Sequence, residues 1–394
     1  MKKLFLCLYL CSLSAVFCFA QVNPSYNIHL SPLLEQRKAN PDEIPFNEAL
    51  NTLVAFINTG SDSLLMGQDI SKDQKSRYHQ LFFLTNIPRN YSHYHILSVD
   101  SIGNGYQFKV ITRQQIDQVK SDEILAIANV QVKNGLIDIS YKNYLKEYTP
   151  IKKGPITYFT KDKDSFNSVE ADKAVAFCDS LKNVLALKEL HPLNYILSKK
   201  GKAPEIFGFD YFWSPYGCFM PNELLLSNGI GENYRHELVH YVLQDYKFDG
   251  LTSEGLAVWF GGSNGNSFKS YIAECVAIDG APTKEQIKNV FTSINPSMDT
   301  FKYRYALPAI CIDLIHDKKG IKGILQLLDN SDKYINMNML ETLKNISGES
   351  EERLIGQIFE KCTILKKQIA LQDGFSGLRH LTVQRKLSTC FDKL

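Results

Sequence analysis

From Phe46 the apolar residues Phe46, Ala49, Leu50, Leu53 and Ile57 recur at helical spacing and stop near Gly60. That pattern predicts an amphipathic helix. Around 95–112 and 123–140 the alternation changes to period two, clearest in "YQFKVIT". Gly103-Asn104-Gly105 and Asn134-Gly135 stand at the reversals, where hairpin turns need positive φ. An antiparallel meander packed on helices is expected, making a small α+β domain over 21–150. "TPIKKGP" at 149–155 interrupts both patterns with two prolines and a glycine, and is read as the boundary. Beyond it come a strand-like "ITYF", a helix over "VEADKAVAFCDSLKNVLAL", strand-like "LNYIL" and "PNELLLS", and a mostly helical remainder after Thr252. A second α+β domain is expected over 151–335, with a helical extension over 336–394. No internal repeat, low-complexity tract or long charge run interrupts the chain.

Composition narrows the functional classes. The chain opens "MKKLFLCLYLCSLSAVFCFAQ", with Lys2 and Lys3 ahead of an apolar run and Ala20 before Gln21. This is the pattern of a secretory signal peptide over 1–20, so an exported protein, periplasmic or extracellular, is expected. Removing it takes away two lysines and no acid, so Lys+Arg falls from 44 to match the 42 Asp+Glu. A formally neutral chain lacks the basic excess of a nucleic-acid binder. No later segment is long and apolar enough to span a membrane. The expected partner is a protein or peptide.

Of nine cysteines, Cys7, Cys11 and Cys18 leave with the signal. Cys178, Cys218, Cys275, Cys311, Cys362 and Cys390 remain, an even number in an exported chain, so disulfides are expected. None forms a C-x-x-C pair, which disfavours a cysteine zinc site. His79, His93 and His95 have no carboxylates at ligand spacing and read as ordinary residues.

The chemistry concentrates in "GENYRHELVHYVLQDYKFDGLTSEGLAVWFGG" at 231–262. On a helix, residues i and i+4 are offset by about 40° and one turn, so His236 and His240 project to a common point. Two such nitrogens can hold zinc at about 2.0–2.1 Å. Glu237 lies beside that face, where its carboxylate can act on activated water as a general base. A buried helix with satisfied histidines is the competing reading, since Leu238, Val239, Val242 and Leu243 make the helix apolar in either case.

A third ligand separates the two, and Glu254 is the candidate. It follows His240 by fourteen residues at the head of "SEGLAVWF". The first helix can run to about Asp245, and "YKFDGLT" is long enough to bring the next helix back beside it. Gly255 and Ala257 would keep that helix slim against the metal helix. Against this stands a first-turn acid behind Ser253 as N-cap. Two histidines, one carboxylate and an open fourth position make a catalytic zinc arrangement.

"HELVH" followed by "SEGLAVWFGG" resembles the gluzincin metallopeptidases, most closely their peptidase-MA-like branch. The resemblance covers roughly 151–330. It implies a zincin-like α+β catalytic domain, Zn²⁺ held by His236, His240 and Glu254, and Glu237 as catalytic base. It also implies that "PNELLLS" is the edge strand that holds extended substrate. The spacing to Glu254 is shorter than in thermolysin-like relatives, and Ser253 stands where many have asparagine. "GCFMPNE" at 217–223 is similar to the motif with which the clan's aminopeptidases grip a free amino terminus, but Pro221 replaces the glutamate. Endopeptidase action is therefore expected.

Such an enzyme needs a donor opposite the ion, and Tyr303 and Tyr305 precede Pro308, a residue suited to a first helical turn. Tyr305 resembles the tyrosine opening the later helix in peptidase-MA-like chains and is preferred; both packing as aromatic core is the other reading. The expected activity is zinc-dependent peptide-bond hydrolysis. The alternative from another class is a zinc-containing but non-catalytic binding or scaffolding protein of the same fold.

Overall fold

The computed structural model describes residues 27–59, 62–64, 92–116, 121–138, 145–199, 208–212, 217–220, 224–263, 265–292, 303–335 and 337–373. The signal segment 1–20, His79, Cys390 and the Pro221 to Glu223 stretch lie outside them. The architecture is mixed α+β, in two compact units: Met1–Ser140 with Phe207–Trp213, and Tyr141–Ile206 with Ser214–Leu394.

The first unit holds strands β1 (Asn27–Leu30), β2 (Ser92–Ile102), β3 (Gly105–Ile116), β4 (Ser121–Lys133) and β5 (Leu136–Asp138), in that order across one sheet. Helices α1 (Pro32–Lys38) and α2 (Ile44–Thr59) accompany it. The helical stripe on α2 is buried, at Phe46, Ala49, Leu50, Leu53, Phe56 and Ile57. Alternate strand positions Phe108, Val110, Ala128, Val130 and Val132 are buried with it. Phe46 meets Phe108 at 6.2 Å between ring centroids. The turns fall where the glycines and asparagines put them, with φ of +49° at Gly103 and +52° and +71° at Asn134 and Gly135. β1 pairs with β2 in parallel, which sets His29 opposite His95. The rings of His29 and His95 stack at 4.9 Å, and those of His29 and His93 at 6.1 Å. A distant segment, β9 (Phe209–Phe212), joins this sheet beside β4.

The second unit has a five-stranded sheet of β6 (Thr149–Lys153), β7 (Ile156–Thr160), β8 (Leu193–Ser198), β10 (Gly217–Met220) and β11 (Leu224–Asn228), ordered β10-β11-β8-β7-β6. The residues read as a boundary, "TPIKKGP", form the β6–β7 hairpin. Pro150 sits in the edge strand β6, where a missing N–H costs no ladder bond, and Gly154 turns the chain at φ +54°. The strand in "PNELLLS" also differs from expectation: β11 lies between β10 and β8, and β10 is the edge.

Its helices are α3 (Ser168–Val184), α4 (Arg235–Val242), α5 (Gly250–Gly261), α6 (Phe268–Asp279), α7 (Lys284–Thr292), α8 (Ala306–Lys319), α9 (Ile321–Asp329), α10 (Ser331–Tyr334), α11 (Met339–Ser347) and α12 (Glu351–Asp373). One hydrophobic core runs from β7 and α3 through α4, α5 and α8 to α12. The segment expected as a separate extension, 336–394, supplies Met339, Leu343, Ile346, Leu354, Ile358 and Cys362 to that same core. Cys178, Cys275, Cys311 and Cys362 are free thiols, three of them buried, so the expected disulfides do not form among these four. A core of this size needs no covalent staple. Among the described residues no helix is long and apolar enough to cross a membrane.

Leu343 is fully buried on α11, so Leu343→Ala is expected to lower stability by about 2–5 kcal/mol in urea unfolding. A loss below about 1 kcal/mol, as at a surface site, would place α11 outside the core.

Candidate metal centre

The loop ahead of α4 is tied down by two tyrosines from the sheet. Tyr158 on β7 and Tyr195 on β8 are fully buried. The Tyr158 hydroxyl donates to the Glu232 carbonyl at 3.1 Å, and that of Tyr195 to the Gly231 carbonyl at 2.7 Å. Tyr195 also accepts from the Tyr234 N–H at 3.2 Å. The Glu232 carboxylate accepts from the Asn167 N–H at 2.8 Å, joining the loop to the start of α3. These bonds fix where α4 starts. From there Leu238, Val239 and Val242 bury its apolar face, while His236 and Glu237 are buried and His240 half-buried. The helix closes at Val242, earlier than the expected Asp245, and residues 243–245 form turns.

α5 begins a turn earlier than "SEGLAVWF" suggested. Asp249 is its N-cap, accepting from the N–H groups of Leu251 at 2.9 Å and Thr252 at 3.2 Å. Ser253 is therefore not the cap, and the first turn carries no acid. Glu254 stands beyond it, so a helix-dipole role does not account for its placement. Its carboxylate accepts from His236 Nε2 at 3.1 Å and lies 3.7 Å from His240 Nε2. Ligand atoms of His236, His240 and Glu254 all lie within 4.8 Å of one another, and among the described residues this is the group able to hold a metal ion.

The other ring nitrogens are engaged too. His236 Nδ1 lies 3.0 Å from the Gly262 carbonyl, which can only accept, so Nδ1 carries a proton. His240 Nδ1 lies 3.1 Å from Ser253 Oγ. Burial alone would lower the pKa of His236, but the Glu254 hydrogen bond and the Glu237 charge outweigh it and raise it to about 9. Burial would raise the pKa of Glu254, yet the two imidazoles hold it well below the usual carboxylate range. Two imidazole nitrogens and one carboxylate oxygen, each histidine steadied from behind, suit zinc.

The structure separates the two tyrosines before Pro308. Tyr303 is buried, and its hydroxyl donates to the carbonyls of Asp279 and Gly280 at 3.0 and 3.2 Å. Tyr305, 38% exposed, sits at the N-cap of α8 with its ring 6.3 Å from that of His236. Burial, then the charges of Glu254 and Glu237, push its pKa up to about 12. Glu237 is thus near both His236 and Tyr305 without belonging to the three-ligand group.

The glycines work differently from the sequence reading. A Cβ on Gly255 would come within 2.8 Å of the Pro308 backbone, so this glycine admits α8 rather than the metal helix. At Gly261 a Cβ would meet the backbone of Arg235 at 2.6 Å and His236 N at 2.7 Å. Gly261 is where α5 touches α4. Sequence reasoning missed this contact, the Gly262 carbonyl and the Ser253–His240 bond; the paired glycines ending "WFGG" were the available signal. Tyr234 was also missed: its buried ring stacks 6.1 Å from His236.

The chain matches no family model and no curated protein sequence.

With Glu254 holding both imidazoles, the purified parent is expected to carry about one zinc per chain. Glu254→Ala should lose most of it in metal analysis after dialysis. Retention equal to the parent would remove Glu254 as a ligand.

Proposed function

We propose that the protein is an exported zinc metallopeptidase of the gluzincin type, with a zincin-like second unit. The observation that carries the reading is the convergence of His236, His240 and Glu254 from α4 and α5, with Glu237 adjacent and outside the group. Zinc bound by these three residues would supply Lewis acidity toward a scissile carbonyl and toward water. Glu237, buried beside His236, takes the proton from water and delivers it to the leaving amine. Tyr305 enters the site from the head of α8. A phenol is protonated near neutral pH, so its hydroxyl can donate where charge develops on the carbonyl oxygen. The strand β10 packs along α4 and is an edge among the described residues, where a backbone edge can take an extended peptide independently of side chains. The amino-terminal segment 1–20 supports export, to the periplasm or the cell exterior.

Glu237→Gln is expected to retain zinc while kcat falls by about 10²–10⁴ on a peptide library. Tyr305→Phe should lower kcat by about 10²–10³ with zinc content unchanged, as for a donor used mainly in the transition state. Parent-like turnover in either variant would strip that residue of its role. Because Pro221 stands where an amine-gripping glutamate would be, peptides blocked at both ends should be cut as well as free ones. A strict need for a free amino terminus would reverse that assignment and make Glu223 the residue to test.

A further inference from the structure

Helix α5 supplies more than the third ligand. Ser253 Oγ meets His240 Nδ1 at 3.1 Å, Glu254 reaches both histidines, and Gly262, just past the helix end, presents its carbonyl to His236 Nδ1 at 3.0 Å. We propose that Ser253 and the Gly261–Gly262 turn are positioning residues that set metal affinity, by holding both histidines with Nε2 directed at the ion. This rests on the metal reading above and extends it.

The turn is built so that only glycine serves. Gly262 adopts φ +75° and ψ −162°, a region that side-chain-bearing residues essentially do not enter. Its N–H caps α5 on the Val258 carbonyl at 2.9 Å. The chain then closes through paired bonds between Ser263 and Asn266, at 3.0 and 2.8 Å. A Cβ at Gly262 would fall 1.8 Å from the Asn266 oxygen, and one at Gly261 2.6 Å from the Arg235 carbonyl. These neighbours are backbone, so they cannot swing aside. The glycines therefore allow the end of α5 to touch the start of α4 and deliver a carbonyl to a buried imidazole. A carbonyl accepts only, so it leaves one tautomer to a neutral His236, with its lone pair on Nε2. The Ser253 hydroxyl can do the same for His240, and its role is separable because it involves a side chain alone.

The test is zinc affinity by chelator competition, read beside thermal melting of the metal-free chain. Ser253→Ala and Gly262→Ala are expected to weaken zinc binding about 10–100-fold, the usual effect of removing such partners. Ser253→Thr should restore it. Ile358→Ala is the control: it opens the same core from α12, and should lower melting while leaving zinc affinity at the parent's value. If Gly262→Ala does not fold, the serine pair still decides. Parent-like affinity in Ser253→Ala, or an equal loss in Ile358→Ala, would overturn the proposal. A parent that binds no zinc would overturn it together with the peptidase reading. Loss of affinity in these variants from a parent that binds zinc but cleaves no peptide would leave this inference standing and remove only the catalytic reading.

Discussion

The structure of the second unit turns on one contact, the carboxylate of Glu254 against the imidazole of His236 at 3.1 Å in a largely buried place. A charge is costly to bury without a partner. Here the carboxylate is drawn to one histidine and stands close to another, so each group favours the charged form of the other. Both nitrogens of His236 face acceptors, Nε2 the Glu254 carboxylate and Nδ1 the Gly262 carbonyl. The Nε2–carboxylate contact falls within the group of three residues able to hold a metal ion. The geometry that makes the ion pair is also the geometry that could hold a metal ion.

The surrounding elements exist in forms that let this contact be made. α4 is short, and its starting point is set from below by the hydroxyls of Tyr158 and Tyr195. α5 is held by the Asp249 cap at one end and by the Gly262 turn at the other. Gly255 lets α8 approach closely, which brings Tyr305 to the rim beside His236 while Tyr303 is spent on the carbonyls ending α6. Each support is a hydrogen bond or a steric allowance outside His236, His240 and Glu254 themselves. Geometry of this kind needs such a shell, because ligands on two separate helices would otherwise drift by more than a metal tolerates.

What was legible in the sequence follows from which signals are local. The i,i+4 pair His236 and His240 is a property of one helix, and the reach from Tyr241 to Ser253 is a matter of chain length, so the meeting with Glu254 could be anticipated. The α2 stripe and the Asn134-Gly135 turn were readable for the same reason. The start of α5 was not, because Asp249 and Ser253 are both good caps and only packing selects between them. The hairpin at "TPIKKGP" reads as a domain boundary in the sequence because an edge strand tolerates the very residues that mark loops. The edge position of β10 and the joining of β9 to a distant sheet depend on non-local pairing, which short apolar runs do not encode. The partners of the histidine Nδ1 atoms were hidden since one is a backbone carbonyl and the other a common serine.

We propose that α4 and α5 together form one metal centre. Anomalous diffraction at the zinc absorption edge, from crystals of the chain loaded with zinc, tests it most directly. A single strong peak is expected, bounded by His236 Nε2, His240 Nε2 and a Glu254 oxygen, each about 2.0–2.2 Å away. A peak elsewhere, or a zinc ion at this place held by only the two histidines with Glu254 turned away, would contradict it.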